Sequence, residues 1–82
     1  MSLLRRQVIH LACLVPPARF AFVRDSSTGQ AAVMEGVVLA NPTSLGGVAV
    51  EVFLPGTRRT GRSAQVERTE WSGLVYVMPL DV

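Results

Sequence analysis

The chain has 82 residues, 49% of them hydrophobic, with a mean hydropathy of +0.35 and a formal charge of +2 from eight arginines set against six acids. One cysteine, Cys13, and one histidine, His10, exclude an internal disulfide and leave too few soft ligands for a structural metal held by a single chain. So small a net charge imposes neither a nucleic-acid nor a membrane reading on the whole molecule, and the length suits one small β domain, residues 1–82, with a single modest core.

At the N-terminus Arg5 and Arg6 precede an apolar run over residues 8–15, which Pro16-Pro17 stop well before the ~20 apolar residues of a membrane span accumulate. His10 stands where a lipoprotein cleavage box places leucine, three residues before Cys13. The expectation is a soluble, unprocessed, cytoplasmic chain with no membrane partner. As a strand, this run turns Ile9, Leu11, Cys13 and Val15 inward and Arg6 and His10 outward. As a helix capped by Ser2, it lines up Leu4, Val8, Leu11 and Val15 instead. The β-branched residues and the Pro-Pro stop favour the strand.

Residues 20–23 form a further apolar run, ended by the turn that begins at Asp25. Residues 31–40 are apolar on both faces apart from Glu35 and predict a central strand, in which Gly36 marks a bulge or a sharp bend. The clearest strand covers residues 48–54: Val48, Val50, Val52 and Leu54 share one face, while Ala49, Glu51 and Phe53 share the other. Residues 65–69 read as a short polar outer strand, and residues 74–78 as another strand, closed by Pro79. Turn signals at Pro16-Pro17 and over residues 25–29, 41–47, 55–61 and 72–73 carry the spacing of a small all-β domain. The pattern predicts a mainly β fold, a small, partly open barrel of the SH3-like or OB-like kind with five to six short strands; a two-sheet sandwich is the alternative.

Chemistry is sparse. Nucleophilic catalysis needs a nucleophile, a base and an orienting group, and His10 has only Ile9 and Leu11 beside it. Cys13, between Ala12 and Leu14, reads as a small, inert core residue. Glu67 and Glu70 are the nearest pair of carboxylates, but "VERTEW" reads as a polar strand entering a turn rather than as an acid–base dyad. Gly46-Gly47 lacks the flanking residues of a phosphate loop, so no cofactor is expected.

Two features carry binding potential. Arg58, Arg59 and Arg62 sit in the stretch "PGTRRTGRS", where guanidinium forks would suit phosphate or carboxylate and where a solvated hairpin tip is the plainer reading. Arg68 and Trp71 follow, and a ring beside basic residues is the arrangement on which single-stranded nucleic acid stacks. Trp71 and Tyr76 are equally candidates for a subunit interface. The segments "TSLGGVAVEVFLPG" and "AQVERTEW" slightly resemble the small-barrel dihydrofolate reductases of resistance plasmids, which build a shared pore from several subunits. Ala64-Gln65-Val66-Glu67 stands where that family has Val-Gln-Ile-Tyr, and neither family nor activity is carried over.

A chain this short buries only roughly 60–65% of its unfolded surface, yet it is rich in apolar residues and holds no staple. The leading expectation is therefore a non-catalytic, self-associating β-barrel interaction module, a homo-oligomer. The rival is a nucleic-acid-binding barrel using Arg58, Arg59, Arg62, Arg68 and Trp71. An enzyme whose site forms at a subunit interface, converging His10, Glu35 or Glu51, is the third.

Overall fold

The computed structural model describes residues 7–55 and 66–80. Within them lie β1 (Ile9–His10), a 3-10 turn (Leu11–Cys13), β2 (Arg19–Asp25), β3 (Ala31–Val38), β4 (Gly47–Phe53), β5 (Glu67–Ser72) and β6 (Tyr76–Pro79). All neighbouring strands are antiparallel, in the order β1-β6-β2-β3-β4-β5, and the sheet curls into a half-barrel. The fold is mainly β and fits a small open barrel, as the turn spacing predicts.

The valine alternation of β4 builds the centre of the core. Val48 and Val50 are fully buried and Val52 nearly so, and they pack with Leu11, Leu14, Phe20, Val38 and Val77. Leu54, expected on the same face, is half exposed because β4 ends at Phe53 and the chain turns away. The polar outer strand begins two residues later than expected and runs on to Ser72, pairing only with β4 among the described strands. The strand predicted from residue 74 starts at Tyr76, since Ser72–Val75 form the turn that joins β5 to β6.

Gly36 lies in the central strand, but no bulge interrupts the ladder. It faces Phe20 on β2 and Val52 on β4 in unbroken register. Its missing side chain instead seats the Phe20 ring: a Cβ on Gly36 would overlap Phe20 Cζ and stand 2.8 and 2.9 Å from Cε2 and Cε1. The glycine makes room for a ring rather than a bulge.

The N-terminal run differs most from its expected form. Only Ile9 and His10 pair as a strand, with Val77 and Tyr76 of β6. The chain then closes a 3-10 turn through Leu14 N–H to Leu11 O at 3.1 Å. Side chains three apart eclipse in such a turn, so Leu11 and Leu14 go inward together, while Cys13 and Val15 are exposed. Cys13 is therefore a surface residue and not part of the core.

Candidate interaction surfaces

The first surface arises where two strands part. β2 pairs with β6 only through Phe20↔Pro79 and Ala21↔Met78. Beyond Ala21 the strands splay, leaving an open groove of about 520 Å³ lined by Phe22, Val23 and Arg24 on one side and by Glu70, Trp71, Ser72, Val75 and Tyr76 on the other. Its floor is aromatic. Trp71 meets Phe22 edge to face, with centroids 4.7 Å apart at 86°, and lies 6.0 Å from Phe20 beneath. Such ring pairs add about 0.5–1.5 kcal/mol beyond area burial and hold the floor rigid.

The rim is polar. The Arg24 guanidinium stands 5.7 Å over the Phe22 ring and 3.8 Å from the Glu67 carboxylate, linking β2 to β5. Strand alternation turns Glu70 away from Trp71, and its side chain lies on the opposite face of β5 against Gly47, its Cδ 2.7 Å from where a Cβ would be. At the far side Tyr76 stacks on His10 with centroids 4.3 Å apart. His10 Nδ1 donates to Leu74 O at 2.7 Å, which leaves Nε2 as the acceptor of the neutral ring.

Of the residues singled out by sequence, Trp71 and Tyr76 come together on this groove. Arg68 does not join them. Alternation along β5 sends Arg68 and Trp71 to opposite faces, and Arg68 Nε donates to Glu51 Oε2 at 2.8 Å. Arg58, Arg59 and Arg62 lie outside the described residues. Within one chain His10 stands apart from Glu35 and Glu51: Glu35 and Glu51 sit on adjacent strands β3 and β4, while β6 and β2 separate β1 from β3 in the sheet.

The second surface is one end of the half-barrel. Gly73 N–H donates to Gly46 O at 2.8 Å, Ala12 N–H to Gly73 O at 2.9 Å, and Leu11 N–H to Val75 O at 2.8 Å. Three turns are thus stitched together. The turn at residues 43–47 is rigid in its own right, with Gly46 at φ +86° and Gly47 N–H donating to Thr43 Oγ1 at 3.1 Å. It presents Leu45 with 97% of its surface exposed, and the neighbouring turn presents Leu74 at 74%. No Asp, Glu, Lys or Arg occurs in residues 7–18, 36–50 or 71–80; among the described residues the Glu70 side chain reaches this end, lying against Gly47.

Comparison with protein families, curated proteins and solved structures finds no match. Among the described residues no three His, Cys, Asp or Glu side chains gather as a metal cluster, and no helix is long and apolar enough to cross a membrane. Phe22 and Val23, which line the groove, escaped the sequence reading as site residues. Their run looks like core, and only the splay of β6 from β2 exposes it.

Proposed function

We propose that the protein is a non-catalytic interaction module whose copies associate through the end bearing Leu45 and Leu74. The observation that carries this reading is the pair of leucines held out to solvent by turns that hydrogen-bond to one another. An apolar side chain on a flexible loop can fold back, whereas one fixed at a turn tip is preorganised for a partner. Burying a leucine contributes about 1.5–3 kcal/mol, so four leucines across a two-fold contact supply roughly 6–12 kcal/mol. Association itself costs an estimated 4–15 kcal/mol. The leucines are thus anchors that need the surrounding apolar residues, Val75 among them.

Sedimentation velocity or light scattering tests this directly. The native protein should form an oligomer at micromolar concentration, and the Leu45→Asp/Leu74→Asp variant should be a monomer with an unchanged circular dichroism spectrum. A native protein that stays monomeric would remove the proposal.

Nucleic acid is the second reading, and the groove disfavours it. Trp71 shares its face of β5 with Glu67, whose charge opposes a phosphate backbone, and Arg68 points to the other face. Salt-dependent binding of single-stranded DNA that disappears on replacing Arg58, Arg59 and Arg62 with alanine would restore it.

A further inference from the structure

The β5 edge of the sheet is a surface distinct from the leucine-bearing end, and its properties do not depend on that end. β5 stands last in the strand order and pairs only with β4 among the described strands. Leu39 N–H donating to Ala49 O at 2.9 Å and Gly73 N–H donating to Gly46 O at 2.8 Å fix the parity of the two ladders of β4. Ala49, Glu51 and Phe53 exchange bonds with β3, and Val48, Val50 and Val52 exchange bonds with Trp71, Thr69 and Glu67. The N–H and C=O of Arg68 and Glu70 therefore point away from β4, out of the sheet edge. Their side chains share the face opposite the core, because Glu67, Thr69 and Trp71 lie on the inward face with the buried valines. Both residues are exposed. Arg68 engages Glu51 through Nε and keeps its other guanidinium N–H groups for a second carboxylate. Glu70 has no ion-pair partner among the described residues.

We infer that the β5 edge is a second contact between copies of this chain, in which two β5 strands pair antiparallel about a two-fold axis at Thr69. The order of charges selects both the occupant and the register. A charged edge repels most strands, but this one is complementary to itself. Pairings that keep the outer faces together are centred on a residue of the strand, since a half-step slip would set inner against outer side chains. Centred on Arg68 or on Glu70, the pairing sets that residue against the same charge in the other copy. Centred on Glu67 or on Trp71, it sets Arg68 opposite Val66 or Leu74. Centred on Thr69, it sets each Arg68 opposite Glu70 of the second copy. Those are the residues whose backbone groups face the edge, so each ion pair is also a hydrogen-bonded backbone pair. Arg68 then lies between two carboxylates, Glu51 of its own chain and Glu70 of the other. Backbone bonds on so short a strand and solvent-screened ion pairs do not offset the cost of joining two free molecules at micromolar concentration. The contact is weak alone and adds to the assembly where the leucine-bearing end already holds copies together.

The test uses the Leu45→Asp/Leu74→Asp variant, which removes the end contact, so the outcome is independent of the oligomer formed through that end. Amide NMR spectra over a concentration series should show the Arg68 and Glu70 signals shifting saturably, with a dissociation constant of about 1 mM. Translational diffusion in the same samples should approach that of a dimer. Adding Glu70→Arg sets arginine opposite arginine and should weaken the contact at least about tenfold. Adding Arg68→Glu as well exchanges the two charges, keeps the native net charge, and should restore the dissociation constant to within about threefold. The proteins carrying Arg68→Glu alone and Glu70→Arg alone should each stay monomeric yet dimerise when mixed in equal amounts. Circular dichroism confirms that every variant is folded. Amide positions that do not change with concentration, shifts confined to residues outside β5, a charge exchange that fails to restore pairing, or a mixture that stays monomeric would each overturn the inference.

Discussion

Replacing Gly36 with alanine tests the reading of the core most sharply. The new Cβ would overlap Phe20 Cζ and crowd Cε1 and Cε2, and the ring has nowhere to go: Phe20 is fully buried, with Phe22 and Trp71 each 6.0 Å from it. Overpacking a full core costs about 1–3 kcal/mol, and a locked ring puts this site at the upper end. Alanine restricts the unfolded chain and returns about 0.4–1 kcal/mol. The expected net loss is roughly 2 kcal/mol, a large part of the stability of a domain this size. At about 4–8 °C per kcal/mol the melting temperature should fall by roughly 8–16 °C. Urea unfolding followed by Trp71 fluorescence measures the loss. In a Phe20→Leu background the clash is gone, so Gly36→Ala should there be neutral or slightly stabilising, a coupling of about 2 kcal/mol in a double-mutant cycle. If Gly36→Ala costs less than about 0.5 kcal/mol, within the scatter of surface substitutions, or if the two changes add without coupling, the ring does not sit on the glycine.

Arg68→Ala should cost less than about 1 kcal/mol in urea unfolding despite its short contact with Glu51, because the Arg68 side chain is 78% exposed and such pairs are screened. Cys13 should react with a thiol reagent in the folded protein without prior unfolding, and a rate limited by global unfolding would put it back in the core. Thr43→Val removes the hydroxyl that accepts from Gly47 N–H; it should lower stability by about 0.5–1.5 kcal/mol, the net value of one hydrogen bond, and weaken self-association by loosening the Leu45 turn.

Much of the architecture is legible in the sequence wherever one face is buried and the other is not. Val48, Val50 and Val52 alternate with Ala49 and Glu51, and period-2 patterning fixes which side goes inward. The N-terminal run fails for the opposite reason. Nearly every position from Val8 to Val15 is apolar, so strand, helix and 3-10 turn bury it about equally well on pattern alone. What selects the turn is a long-range contact: the amides of Leu11 and Ala12 reach Val75 O and Gly73 O. Trp71 was readable as partly exposed from its polar neighbours Glu70 and Ser72, whereas Tyr76 stands between Val75 and Val77 and carries no such signal. Phe22 and Val23 were not readable either, since their exposure depends on the register at which β6 leaves β2.

That register also explains how one glycine bears on the groove. Phe20 pairs with Gly36 on one side and with Pro79 on the other, one residue before Ala21↔Met78, the last point where β2 and β6 are joined. Because Gly36 lacks a side chain, the Phe20 ring lies deep enough for Trp71 to cross above it and meet the edge of Phe22. A ring raised by a Cβ would push Trp71 outward into the space between Phe22 and Tyr76. The same residue that permits a tight core thus sets the depth of the groove, and a variant that overfills the first should also narrow the second.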